Sequence, residues 1–178
     1  PISGTASKAG IPNLIDSTLD KELFEYEIKL TERAGHASEL ATEAKNNHAD
    51  IVVAVGGDGT VNEVARSLVH SDTALGILPC GSGNGLARHL LLPMNLRKSI
   101  EVINACKIND LDYGVINGHP FFCTCGMGFD AFVSMKFAES GKRGPISYAE
   151  NILREGLKYE PETYTLEDEP GTKQSKAF

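Results

Sequence analysis

Ile51-Val52-Val53-Ala54-Val55-Gly56-Gly57-Asp58-Gly59-Thr60 is the stretch on which the fold turns. Its first half is a continuous, mostly β-branched apolar run, the pattern of a strand covered on both faces in a parallel sheet. Three glycines then permit a tight backbone turn. From Val61 to Val69 the apolar positions return to helical spacing. A strand, a glycine turn and a helix start present backbone N–H groups where an anion, phosphate above all, can bind. Asp58 lies inside that anion site, and its acid needs a reason: holding Mg²⁺ against phosphate, or taking a proton from an attacking hydroxyl. A plain strand-to-helix turn would explain the same glycines. Thr60 and Glu63 carry their own alternatives, since Thr-x-x-Glu at a helix start is a capping box, whereas either residue could also face a nucleotide or metal.

Working outward, Ala74–Leu78 is a second short apolar strand, followed by Pro79 and another glycine loop, Gly81-Ser82-Gly83-Asn84-Gly85. Ser82 and Asn84 add polar contacts, and Arg88 beyond them reads either as a phosphate ligand or as a solvated surface residue. Helices are expected over 9–20, 36–48, 86–92 and 96–106. Residues 23–31 alternate strictly, with Phe24, Tyr26, Ile28 and Leu30 on one side, which predicts a half-exposed strand. Alternating strands and helices over 1–107 predict an α/β domain with a parallel sheet and right-handed crossovers. Ligands of such sheets bind beyond the carboxyl ends of the strands, where both glycine loops fall.

The pattern changes near residue 108. Asp112–Ile116 and Phe121–Cys125 read as strands joined at Asn117-Gly118, a strong hairpin signal. Further helices are expected over 129–139 and 146–157, a strand over 162–167, and a polar, mobile tail over 168–178. The expected division is a nucleotide-binding α/β domain over 1–109 and part of a β-rich second domain over 110–178. Both ends of the chain read as cut from something longer. Gly126-Met127-Gly128-Phe129-Asp130-Ala131 matches a dinucleotide fingerprint, but it follows a hairpin strand instead of opening a βαβ unit. There is no P-loop.

Composition narrows the classes. The 178 residues are 41% hydrophobic and 23% charged, ordinary for a globular protein. A net charge of −7 disfavours nucleic-acid binding, which needs a basic footprint. No apolar run approaches the roughly 18–20 residues of a spanning helix. Cys80, Cys106, Cys123 and Cys125 form no C-x-x-C pair and are expected as buried, reduced thiols of a cytoplasmic protein.

Taken together, these motifs resemble the diacylglycerol kinase and sphingosine kinase superfamily of lipid kinases. Pro1-Ile2-Ser3-Gly4 is similar to the end of that family's Asn-Pro-x-x-Gly motif, and Thr31-Glu32-Arg33-Ala34-Gly35-His36-Ala37 to its nucleotide-contacting Thr-Glu-x-x-x-His-Ala segment. Val55–Glu63 resembles the family's most specific motif. Pro79–Arg88 resembles its Pro-x-Gly-[ST]-x-Asn-x-x-Ala-Arg loop, and Gly126–Ala131 the segment opening its second domain. The resemblance implies ATP as donor, Mg²⁺ as cofactor and a lipid hydroxyl as acceptor: diacylglycerol, sphingosine or a ceramide-like lipid. It implies nucleotide contacts at Ser3, Gly4, Thr31, Gly56, Gly57, Asp58, Gly59, Thr60, Val61, Asn62, Glu63, Gly81, Ser82, Gly83 and Asn84. Asp58 is implied as the catalytic or metal-organising acid, and Asp130 as a residue orienting the lipid headgroup. The metal ligands stay unassigned. Gly85 stands where many bacterial members carry Asp, a departure that leans toward the sphingosine kinase branch. Expected partners are a lipid at a membrane surface, reached by peripheral association, and a second copy of the chain. The rival readings are an NAD kinase-like enzyme, which shares a Gly-Gly-Asp-Gly loop, and a nucleotide-sensing module without turnover.

Overall fold

The computed structural model describes residues 9–139 and 159–177. The chain divides into two compact units at Cys123/Thr124.

The first unit is built on two parallel strands, β1 (Ile51–Gly56) and β2 (Ala74–Pro79), joined by a helical crossover. The parallel register runs from Ile51↔Ala74 to Gly56↔Pro79, and the Cys80 N–H donates to the Gly56 carbonyl at 2.8 Å. Both strands therefore end at the same level. The crossover is α3 (Asp58–Leu68), preceded in the chain by α1 (Ile11–Thr18) and α2 (His36–Asn46). After β2 come α4 (Gly85–His89) and α5 (Leu96–Asn104). Pro12 occupies the first turn of α1, where its missing N–H costs nothing.

Side-chain alternation along β2 separates two apolar layers. Ile77 joins Ala37, Ala41, Ala54, Val61, Val64, Leu68, Leu86 and Ala87 in the main core. Leu78, its neighbour, is buried on the other side, where α5 packs on β2 with Ile100 fully enclosed. Small residues on α2, Ala37 and Ala41, let that helix approach α3 closely, and Ser38 and Ser67 meet between them, Oγ to Oγ, at 2.6 Å.

A hairpin closes this unit: β3 (Gly114–Ile116) and β4 (His119–Phe121), with Ile116 opposite His119. Asn117 and Gly118 both take positive φ, 50° and 78°, as a two-residue primed turn demands. That tight turn starts the second strand at His119, so Cys123 and Cys125 lie beyond it. Cys106, Cys123 and Cys125 are exposed and Cys80 half-buried, which corrects the expectation of buried thiols.

In the second unit, α6 (Phe129–Glu139) falls where the sequence places it, and β5 (Glu162–Asp168) pairs antiparallel with β6 (Gly171–Ala177). The expected mobile tail is thus a strand as far as Ala177, its polar side chains exposed on a two-stranded ribbon. The helix expected over 146–157 lies outside the described residues.

Residues 23–31 correct a second expectation. They join no ladder among the described residues. Leu30 is 75% exposed, and Tyr26 and Ile28 are exposed as well. Period-two alternation supplies a strand's side-chain pattern, but a strand also needs a partner edge for its backbone groups.

Candidate functional site

The common end of β1 and β2 sets the two glycine loops side by side. Their contact is backbone on backbone. A Cβ placed on Gly81 would stand 2.5 Å from the Gly57 Cα and 2.8 Å from the Asn84 Oδ1. A Cβ on Gly57 would stand 3.0 Å from the Gly81 Cα. Such an approach is open only to residues lacking a side chain.

Asp58 is the first residue of α3, and Gly57, its N-cap, has no side chain with which to cap it. The first N–H groups of that helix, from Asp58 onward, lack carbonyl partners within the helix until Val61, whose N–H donates to the Gly57 carbonyl at 3.1 Å. Their partial positive charge faces the loop region.

The Asp58 carboxylate turns across to the other loop. The Asn84 N–H donates to Oδ2 at 2.8 Å and the Gly85 N–H to Oδ1 at 2.6 Å. Asp58 therefore caps α4, a helix whose own N-cap, Asn84, offers it no side-chain bond. Asn84 instead turns inward, 8% exposed, at φ 55° and ψ 45°. Its Oδ1 accepts from the Gly81 N–H and its Nδ2 donates to the Gly81 carbonyl, both at 2.8 Å. Left-handed backbone is tolerated well by Asn. Arg88 braces the same loop, its Nε donating to the Gly83 carbonyl at 2.8 Å. Ser82 and Gly83 stay exposed at the tip.

Glu63 corrects the capping-box reading. The helix begins at Asp58, so Thr60 is already its third residue and Glu63 faces α2. The Gly35 N–H donates to Glu63 Oε1 at 3.0 Å and the Ala37 N–H to Oε2 at 3.2 Å. Both acids of the Val55–Glu63 motif thus cap neighbouring helices, a role that spacing along the chain cannot reveal.

Among the other expected contacts, Thr31 is half-buried before the turn that Glu63 holds, and Val61 is a core residue, 6% exposed. Asn62 is half-buried. Gly56 and Gly57 are buried, and Gly59 is exposed with open space where a Cβ would stand. Ser3 and Gly4 lie outside the described residues. Asp130, in the second unit, is exposed, and its carboxylate folds back over Gly126. Two residues missed from sequence belong to the loop's support: Met94, whose Sδ takes a long contact of 3.9 Å from Asn84 Nδ2, and Cys123, whose Sγ lies 3.3 Å from a Cβ built on Gly85.

Arg33 and Glu39 brace the Thr31–Ala37 segment. The Arg33 Nη2 donates to both Glu39 oxygens, at 2.7 and 2.6 Å. That contact holds the Glu39 carboxyl below its ordinary range and raises the guanidinium. Among the described residues no three His, Cys, Asp or Glu side chains gather as a metal cluster. No described helix is long and apolar enough to cross a membrane.

The model of the diacylglycerol kinase catalytic domain matches residues 1–116. A diacylglycerol kinase of Staphylococcus saprophyticus is 32% identical over 134 residues, covering 73% of this chain and 44% of that protein. One of Bacillus subtilis is 37% identical over 109 residues, 59% of this chain and 36% of that protein. The crystal structure of a diacylglycerol kinase from Bacillus anthracis superposes with a TM-score of 0.57 at 25% identity, over 67% of this chain and 44% of that one. This chain spans less than half the length of each of these relatives.

Proposed function

The chain belongs to the diacylglycerol kinase catalytic-domain family, and on that premise we propose that it is the nucleotide-binding part of an ATP-dependent lipid kinase. One observation carries the reading. Two glycine loops, at the carboxyl ends of adjacent parallel strands, are pressed together beside a helix N-terminus that no side chain caps. That arrangement concentrates N–H donors, and the one carboxylate between the loops, Asp58, is engaged by the Asn84 and Gly85 N–H groups.

In this reading the N–H groups of Asp58, Gly59 and Thr60 hold the ATP phosphates, and Ser82 and Gly83 approach from the second loop. Asp58 keeps the two loops in register. Each of its oxygens accepts one N–H and retains a further lone pair, open to a cation or to the proton of an acceptor hydroxyl. Mg²⁺ suits such a site, since it binds through one or two carboxylates plus phosphate oxygens, and it would supply charge neutralisation there. The protein's contribution is positioning and electrostatics. Asp130 is the candidate for orienting the lipid headgroup. The names of the relatives favour diacylglycerol over a long-chain base as acceptor.

The test is phosphoryl transfer from γ-labelled ATP by the full-length protein, offered diacylglycerol, sphingosine, ceramide and NAD in parallel. Labelled diacylglycerol is expected. Labelling of NAD alone would contradict the reading. Retention of near-wild-type transfer by Asp58→Ala would remove Asp58 from the site.

A further inference from the structure

We infer that Glu63 is a positioning residue, which fixes the Thr31–Ala37 segment relative to the Gly56–Thr60 loop without itself touching nucleotide. The inference rests on the proposed nucleotide site for its functional meaning, though not for its geometry. Glu63 lies on α3, whose first turn is the phosphate-facing end of the glycine loop. Its two oxygens are taken up separately by the Gly35 and Ala37 N–H groups, at 3.0 and 3.2 Å. These are donors of the first turn of α2, where Gly35, the N-cap, has φ 80° and no side chain to satisfy them.

The same seam continues one turn along α3. The Ser67 hydroxyl meets Ser38 Oγ at 2.6 Å and the Ser38 carbonyl at 3.1 Å, and Lys45 Nζ donates to the Ser67 carbonyl at 2.9 Å. Glu63 and Ser67 are i and i+4, one above the other on the helix face turned to α2. Glu63 is the half-buried acid of that seam, and its bonds to backbone N–H groups are charge-assisted. On the near side of the turn, His36 Nδ1 accepts the Glu32 N–H at 3.1 Å. The segment carrying Thr31 is therefore tied to α3 through α2's first turn, and Glu63 is the knot.

The experiment uses this chain with Glu63→Ala and Glu63→Gln. It reads hydrogen exchange at the Gly35 and Ala37 amides without nucleotide, and ATP affinity by calorimetry with Mg²⁺ and with EDTA. Glu63→Ala should expose both amides and weaken ATP about tenfold, with the same ratio in Mg²⁺ and in EDTA. Glu63→Gln keeps one acceptor oxygen and should fall between it and wild type in both readouts. Unchanged exchange at Gly35 and Ala37 would overturn the inference. An affinity loss that disappears in EDTA would overturn it too, since it would make Glu63 a metal contact. If the wild-type chain binds no ATP at all, the proposed function fails, and the exchange readout still decides whether Glu63 holds the turn.

Discussion

The Gly85 amide donates to the Asp58 carboxylate across 2.6 Å, joining the start of one glycine-loop helix to the start of the other. Asp58 is thus a structural bridge as well as the acid of the proposed site. Asp58→Ala should cost about 0.5–2 kcal/mol, the range for removing a helix cap, and lower the melting temperature by several degrees. Thermal unfolding followed by circular dichroism measures it. An unchanged melting temperature would mean that the bridge contributes nothing.

Gly59 and Gly81 should separate stability from binding. A Cβ on Gly59 meets nothing within 4 Å, and the residue sits in a helix, so Gly59→Ala should stabilise the fold by up to about 1 kcal/mol. The same methyl would stand among the N–H groups proposed to cradle phosphate, so ATP affinity should fall. Gly81→Ala collides with the Gly57 backbone and should lose both, with an overpacking cost of about 1–3 kcal/mol. Melting curves beside ATP titrations of the two variants check the contrast.

Introducing a second carboxylate at Gly85→Asp places charge beside Asp58, because a Cβ there would stand 3.5 Å from Asp58 Oδ1 and 3.3 Å from Cys123 Sγ. Like charges so close repel unless a cation lies between them. The variant should melt below wild type in EDTA and regain more stability than wild type on adding Mg²⁺. Equal Mg²⁺ responses in the two proteins would count against a cation position at this loop.

The Arg33–Glu39 pair gives a dependence on pH. Glu39 is held below its ordinary value, chiefly by its hydrogen bonds from Arg33. A lowered carboxyl stabilises the fold above its unfolded pKa, and that stabilisation is lost as pH falls through the folded value. Arg33→Gln should therefore lower stability slightly near neutrality, where the pair contributes in full, and flatten the acid side of the profile, so that variant and wild type converge at low pH. The pair is exposed, so the effect should be small and should shrink in high salt. Urea unfolding across the acid range, at two salt concentrations, checks it.

Much of this architecture was legible in the residues. Ile51–Val55 and Ala74–Leu78 show their strands in apolar runs, though only Ala54, Ile77 and Leu78 in them are fully buried, and Asn117-Gly118 states its turn through positive φ. What stayed hidden was tertiary. Asp58 and Glu63 each satisfy donors 26 to 28 positions away, and a local template assigned Glu63 to its own helix. Phe24–Leu30 has the alternation of a strand, but pairing depends on a neighbour that its own sequence cannot specify. Gly171–Ala177 has almost no apolar signal, and its strand arises from the antiparallel ladder to β5.

The most direct test of the central claim is an amide chemical-shift titration of this chain with MgATP. The phosphate cradle requires the largest changes at Asp58, Gly59 and Thr60 on the first loop and at Ser82 and Gly83 on the second. Binding that leaves those amides unmoved, or shifts Gly126–Ala131 instead, would contradict it.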